Sequence, residues 1–336
     1  MISKNGVSII ICCYNSSSRL KQTLAYIAKQ NTQPNINCEL IVVDNASTDD
    51  TANFAINEWK ALANDVIEFK IISETKQGQS YARVAGATHA QYEYLIFCDD
   101  DNWLDENYVQ TVTVLFNKRE DIAILGGLST AQLEDEAAKP NWFDKFYHSY
   151  AVGTASNPEE LVHFVHGAGL AIRRSIFKMT TDNRPFLLHG RKQNQLTCGE
   201  DGEICARVRL AGYKILYTPT LTLTHFLPAG RLTWQYFKKL HAGFALTHGI
   251  IDLYEVALTT KAAKLPPFYW LKKALYFGGI FLKYWPKQYA AYSRTEGTVD
   301  ELNHLTWRII SINYLKYNFK TIKSYQKIVS FKNSSL

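Results

Sequence analysis

Hydrophobic and polar positions along the first half of the chain fall into short apolar runs separated by amphipathic stretches. That order predicts a parallel sheet covered by helices on both faces. Val7 to Cys12 is a continuous apolar run, as a strand buried on both faces requires. Leu20, Leu24 and Ile27 then share one face of a helix reaching about Gln30, which Asn15 and the serines after it are placed to cap. A second strand, Glu39 to Asp44, ends in a polar loop leading to a helix through Trp59. A third, Ile67 to Ile72, passes through Gly78 to a helix from about Gln79 to Ala90. A fourth, Tyr94 to Cys98, stops at Asp99, Asp100 and Asp101.

After a fifth apolar run, Ile122 to Leu128, the pattern turns irregular around Pro140, Trp142 and Phe143. Strand-like Val162 to Val165 and Ala168 to Ile172 follow, then a helix opening at Gly199 and Glu200 and running to about Ala211. Two further strands are predicted, Lys214 to Tyr217 and Leu221 to His225. The rest reads as helical and aromatic, broken at Pro266, Pro267 and Pro286. The predicted division is an α/β domain over 1–226, subdivided into 1–128 and 129–226, followed by a helical region over 227–336.

Polar residues close each early strand, and ligands of open α/β sheets bind outside the carboxyl ends of the strands. Asp44 and Asp99 to Asp101 should therefore share one crevice. Three consecutive carboxylates repel one another, and a divalent cation is their natural compensator; hard oxygen ligands select Mg²⁺ or Mn²⁺. In a strand-to-turn conformation Asp99 and Asp101 can point the same way, Asp99 toward a ribose and Asp101 toward the metal, with Asp100 turned elsewhere. Helix capping is the competing account of these residues, as it is of Glu200 and Asp201. His225, closing an alternating strand near the same end, could complete a metal shell opposite Asp101. Arg83, one turn into the helix after Gly78, suits a diphosphate or a base edge.

In their order along the chain these elements resemble glycosyltransferase family 2, inverting enzymes with the GT-A fold, of the bacterial cell-surface polysaccharide type. The matching stretches are Val7 to Asn15, Ile41 to Asp49, Gly78 to Arg83, Phe97 to Asp101 (an Asp-x-Asp motif), Gly167 to Arg174 and Gly199 to Asp201 through His225. The resemblance covers roughly residues 7 to 226 and implies that 1–226 is the catalytic domain, with nucleotide-sugar binding over 1–128 and the acceptor side over 129–226. It implies an α/β, Rossmann-like GT-A fold with a mostly parallel sheet, here with a C-terminal helical extension. It also implies transfer from a nucleotide-diphosphate sugar, a UDP-sugar by family tendency, to a hydroxyl of a glycan or lipid-linked glycan precursor. Asp44 would contact the base, Arg83 the base or diphosphate, and Asp99 the ribose, with Tyr14, Asn15 and Asp100 in the same nucleotide-sugar set. Asp101 and His225 would bind the metal, and Asp201 would be the catalytic base, with Glu200 and Trp142 on the acceptor side. Cys12 stands where a proline is usual, and Val84 where an asparagine commonly follows the arginine. The competing expectations are a sugar-binding scaffold without catalysis, against which Asp99, Asp101 and Asp201 together argue, and a nucleotidyltransferase, for which a Gly-rich basic loop near the N-terminus is missing.

Composition changes the picture mainly in the tail. The 336-residue chain carries a net charge of +6. Residues 1–225 hold 21 Lys+Arg against 26 Asp+Glu, a net of −5, whereas 226–336 hold 16 against 5, a net of +11. There, Trp234, Phe268, Trp270, Phe281 and Trp285 interleave with Lys238, Lys272, Lys273, Lys283 and Lys287. Such a composition fits an anionic membrane surface. The same helices could instead pack on the catalytic domain or on a second copy of the chain, making a homo-oligomer. No nucleic-acid-reading module is present in the sequence, so no nucleic acid partner is expected. The six cysteines form no C-x-x-C pair and read as reduced. The opening residues lack a basic leader with an apolar core, and Ala274 to Leu282 is far shorter than the ~20 residues that cross a bilayer. The expected location is cytoplasmic, peripheral at the inner face of the plasma membrane.

Overall fold

The computed structural model describes residues 4–33, 35–153, 158–191, 196–260, 263–292, 296–316 and 318–333. Residues 1–3 and the side chain of Lys287 lie outside that description. In chain order the elements begin with β1 (Lys4–Cys13), α1 (Leu20–Ala28), β2 (Cys38–Asp44), α2 (Thr51–Ala61), β3 (Glu68–Ser73) and α3 (Gln79–His89). Next come β4 (Tyr92–Asp99), β5 (Asn102–Leu104), α4 (Tyr108–Lys118), β6 (Ile122–Leu133) and a short α5 (Phe143–Phe146). Then follow β7 (Glu160–Val162), β8 (Ala171–Arg173), α6 (Arg174–Thr181), α7 (Glu200–Leu210) and β9 (Lys214–Leu227). Four helices close the chain: α8 (Trp234–Thr259), α9 (Tyr269–Tyr292), α10 (Val299–Lys316) and α11 (Asn318–Asn333).

The chain divides into two compact units, one of residues 1–134, 146–186 and 212–227, the other of 135–145, 187–211 and 228–336. The second unit therefore gathers Trp142, Glu200 and Asp201 with the C-terminal helices.

The first unit is built on one mixed sheet in the order β3-β2-β1-β4-β8-β6-β9-β5, with β7 on β9. Its first four strands are all parallel, with Cys12 level with Asp99, Cys13 with Asp44, and Asp44 with Ser73. Because they point the same way, their carboxyl ends share one edge. Alternation along the strands supplies a core to each face. Ile9, Ile11, Leu40 and Val42 pack with Leu20, Leu24 and Ile27 of α1, Trp59 of α2 and Val112 and Phe116 of α4. Ile10 and Val43 face the opposite way, against Gly86 of α3, where a β-carbon would collide with Ile10. This is the GT-A fold that the family resemblance implies.

Local differences have physical causes. Helix α1 starts at Leu20 behind Arg19 and has no side-chain cap, because Ser16 and Ser17 give their hydroxyls to Asp100 and Asp49 instead. The two strands expected over 214–225 are one 14-residue strand, β9. Its pairing with β6 slips between Gly127 and Leu128, and the resulting irregularity accommodates Pro219, which has no N–H for the ladder. Pro286 does not end its helix but lies exposed inside α9.

The second unit is helical. Ala206 and Leu210 of α7 pack with Leu253, Tyr254 and Ala257 of α8 and Tyr325 and Ile328 of α11. Ala245, Ala274, Ile310 and Tyr314 knit α8, α9 and α10 together. Two carboxylates, Glu203 fully buried and Asp252 half-buried, anchor these helices. Glu203, with no exposed surface, accepts from the Leu188 N–H at 2.7 Å, Arg207 Nη2 at 2.8 Å and the Tyr254 hydroxyl at 2.8 Å. Asp252 accepts from Lys273 Nζ at 2.7 Å, from the Tyr314 hydroxyl at 2.6 Å and from the Tyr269 hydroxyl. Such burial of charge is tolerable because the oxygens are multiply hydrogen-bonded. No helix among the described residues is long and apolar enough to cross a membrane.

Candidate active site

The common carboxyl edge of β1, β2 and β4 carries most of the residues singled out from the sequence. At the end of β1, Tyr14 is exposed, while Asn15 adopts a left-handed φ of 50° and accepts the Thr48 N–H at 2.8 Å through Oδ1. Asp44 closes β2 and accepts the Ser47 N–H at 3.2 Å. Its neighbour Asn45, which drew no attention in the sequence, is 4% exposed and clamps the loop before α3. It donates to the Glu74 and Lys76 carbonyls at 3.0 and 2.9 Å and accepts the Gly78 N–H at 2.8 Å.

The three aspartates at the carboxyl end of β4 face three different elements; Asp99 and Asp101 do not turn the same way, because Asp99 still belongs to the strand while Asp101 lies in the turn before β5. Asp99 turns toward α3, accepting from Gln79 Nε2 at 2.9 Å and lying 3.9 Å from Arg83 Nη2. Asp100 turns toward the approach to α1, where Arg19 Nη2 lies 2.5 Å away and the Ser16 hydroxyl donates to it. Thr23 bonds its backbone carbonyl at 2.9 Å. Burial and the adjacent Asp101 charge push the Asp100 carboxyl above the ordinary carboxylate range, and Arg19 and Ser16 oppose that shift. Expected among the nucleotide-sugar residues, Asp100 is 8% exposed and ties β4 to α1.

Asp101 turns toward β9. The short β5, not anticipated from the sequence, pairs with β9 so that Asn102 opposes His225, and the Phe226 N–H donates to the Asp101 carbonyl at 2.9 Å. That pairing brings Asp101 Oδ1 within 3.5 Å of His225 Nε2. His225 Nδ1 lies 2.8 Å from the Tyr150 carbonyl, which can only accept, so Nδ1 carries the proton. In the neutral ring Nε2 then presents a lone pair toward a carboxylate, an arrangement a cation between them would satisfy. Two cis ligands of an ion with bonds of ~2.1 Å sit about 3 Å apart, so the pair fits a small divalent cation with little adjustment. Among the described residues, no cluster of three or more His, Cys, Asp or Glu side chains suited to a metal occurs. The remaining positions would fall to donor phosphate oxygens and water.

Arg83 is 1% exposed and stacks over the Phe97 ring at 5.3 Å. Room for it comes from Gly167, where a β-carbon would sit 2.5 Å from Nη2. Two residues on, Gly169 holds a φ of +70° and its carbonyl accepts the Tyr108 hydroxyl at 2.6 Å. Gln79, Asn45 and Gly167 have no charge and no periodicity to announce them, and only the fold reveals their partners.

Asp201 and Glu200 open α7 in the second unit, behind Gly199 with a φ of +97°. Asp201 is half-buried and accepts the Gly202 N–H at 2.8 Å; Glu200 is 7% exposed. Trp142, expected on the acceptor side, is 8% exposed and packs edge-on against Trp234 and beside Phe237, each at 5.2 Å. Its burial by aromatic neighbours makes it a core residue of the second unit.

Residues 8–180, more than half the chain, match the family model described as glycosyl transferase family 2. The chain belongs to glycosyl transferase family 2. Among curated relatives of this family 2 member, the glycosyltransferase GlyA of Streptococcus pneumoniae is 22% identical over 251 residues, 72% of this chain and 34% of that protein. The O-antigen chain rhamnosyltransferase WbaN of Salmonella anatum is 25% identical over 228 residues, 65% of each protein. The chain spans about a third of the length of the first curated relatives it matches. Its fold is like that of GalNAc-T7 crystallised with UDP, GalNAc and Mn²⁺, with a TM-score of 0.50 and 18% identity over 73% of this chain and 50% of that one.

Proposed function

We propose that this family 2 member transfers a sugar from a nucleotide-diphosphate donor, with a UDP-sugar favoured, to a hydroxyl of a glycan or lipid-linked glycan precursor in cell-surface polysaccharide assembly. The observation that carries the reading is the facing pair of Asp101 Oδ1 and His225 Nε2 at the strand-end edge that also holds Asp44, Asp99 and Arg83. Asp44 takes the base and Asp99 the ribose, with Tyr14 and Asn15 beside them and Arg83 offering its guanidinium to the diphosphate. Asp101 and His225 would hold a divalent cation, Mn²⁺ or Mg²⁺, which would neutralise the charge that grows on the departing diphosphate.

The acceptor oxygen attacks the anomeric carbon opposite the leaving diphosphate as the bond to that group breaks, and Asp201 takes the hydroxyl proton. A single displacement inverts the anomeric configuration. The UDP and Mn²⁺ bound to GalNAc-T7, and the O-antigen and other glycosyltransferase relatives, support the donor class and the polysaccharide setting. With a lipid-linked acceptor the reaction would take place at the inner face of the plasma membrane.

A thermal-shift titration with UDP, GDP, dTDP and CMP, each with and without Mn²⁺, tests the reading on the wild type and Asp101→Ala. Ligand that binds only the folded state raises Tm with its concentration. The expected result is one nucleotide that stabilises the wild type far more with Mn²⁺ than without, and loss of that increment in Asp101→Ala. No stabilisation by any nucleotide at millimolar concentration would sink the proposal.

A further inference from the structure

Helix α9 has two apolar faces, and only one of them is used inside the second unit. Ala274 is 2% exposed in a cluster with Ala245, Ile310 and Tyr314, against which Trp270 and Phe277 also pack. The Phe277 ring stacks on Tyr314 at 6.3 Å and Phe281 lies 4.8 Å from His304. The opposite face carries Leu275 and Leu282, each 66% exposed, and Phe268, just ahead of the helix, 67% exposed. Leu275 and Leu282 are seven residues, two turns, apart and so form one stripe, with Tyr276 at 63% exposure beside it and Phe268 just ahead of the helix. Exposed Lys272 and Lys283 flank the stripe on that same side.

Phe268 also adopts a φ of +55°, a conformation unusual for a bulky residue. Strain of this kind persists where the surrounding structure enforces it, here behind Pro266 and Pro267, and it holds the ring at the head of the stripe. From Val256 to Thr295 the sequence contains seven Lys or Arg and no acidic residue. Two exposed leucines on one helical face, with an exposed phenylalanine ahead of it and lysines at its flank, suit the interfacial layer of a bilayer, where apolar groups enter the headgroup boundary and lysines meet phosphate. A second copy of the chain is disfavoured, since pairing the stripe with itself would bring Lys272 and Lys283 against like charge in a region of net +11.

We infer that the Leu275 and Leu282 face of α9, with Phe268 ahead of it, docks on an anionic lipid surface, with Lys272 and Lys283 contacting headgroup phosphates. For its purpose the inference rests on the proposed membrane-borne acceptor, whereas the binding itself needs neither donor nor acceptor.

The full-length protein is floated with vesicles of phosphatidylcholine alone and of phosphatidylcholine mixed with phosphatidylglycerol. Wild type, Leu275→Ser/Leu282→Ser and Lys272→Glu/Lys283→Glu are compared, with Tm and circular dichroism confirming that each is folded. The wild type should bind only the anionic vesicles, and each double variant should lose about tenfold or more of that binding. Absence of wild-type binding, or binding that both variants retain, overturns the inference. So does a dimer in light scattering that the serine pair dissolves, because the stripe would then belong to a second copy. Nucleotide thermal shifts on the same samples keep the two readings apart: their absence sinks the transferase, and vesicle binding stands or falls alone.

Discussion

Gly167 and Gln79 act on the proposed site through other residues, and substitutions there isolate geometry from charge. A methyl at residue 167 would meet the far end of the Arg83 side chain, which can swing aside without unfolding the protein. Gly167→Ala should therefore leave Tm nearly unchanged while weakening kcat/KM for the donor by about 10- to 100-fold, the cost of misplacing a binding group by roughly an ångström. Steady-state kinetics with varied donor would show whether the loss falls there. Gln79→Leu removes the amide donor at 2.9 Å from Asp99, and its effect should again fall on the donor KM. At this scale charge was the readable signal in the sequence. Asp44, Asp99, Asp101 and His225 stood out because carboxylates and imidazoles at strand ends need a reason. Asp100 does turn elsewhere, as the strand-to-turn geometry suggests, and its side chain holds Arg19 and Ser16; that Asp99 and Asp101 also part, toward α3 and β9, depends on partners the sequence does not show.

Elements are held together by buried polar centres whose titration gives testable pH dependence. Glu39 of β2 has no exposed surface and accepts from the Ser8 hydroxyl at 2.6 Å, the Gln91 N–H at 2.7 Å and Lys70 Nζ at 2.8 Å. Burial alone would raise its pKa, but the Gln91 N–H, Lys70 and Ser8 outweigh it and hold the carboxyl below its usual value. A depressed carboxylate stabilises the fold above its unfolded pKa and loses that contribution as pH falls through the folded value. Glu39→Gln should cost about 1–3 kcal/mol at neutral pH, and chemical denaturation should show the difference shrinking below about pH 4. In α8, burial lowers His241 to about 4. The unfolded chain then binds a proton that the native ring refuses, so stability falls as pH drops from about 6.5 toward 4, by up to about 3 kcal/mol. His241→Phe should flatten that part of the Tm profile.

Most strands and helices of the first 130 residues were legible because apolar period and polar strand ends agree. The three-residue β5 was not, being too short to show a period, and it is the strand that sets Asp101 beside His225. The slip between β6 and β9 was equally hidden. Pro219 made one strand look like two, and only the partner strand shows how the ladder continues past it.

At the scale of the whole molecule, the chain visits its two units alternately, so neither is a contiguous stretch of sequence. That interleaving is invisible to a reading that proceeds from one end, which placed its division at residue 226. The reaction proposed for the assembled protein has an unambiguous stereochemical readout. The anomeric proton signal of the first-formed product should report the configuration opposite to that of the donor, and retention would rule out a single displacement with Asp201 as base.

Helix α7, which begins with Glu200 and Asp201, is packed by α8 and α11, and its buried Glu203 takes one of its hydrogen bonds from Tyr254. At Gly243 of α8 a side chain would strike the Leu196 carbonyl, so the approach to α7 is fitted against that helix as well. The C-terminal hundred residues are therefore no interchangeable accessory. Trimming the chain after residue 226 would leave a buried carboxylate short of a partner. Grafting the tail of another family member would succeed only if its own counterpart of α7 came along, so the two segments are expected to diverge as a pair.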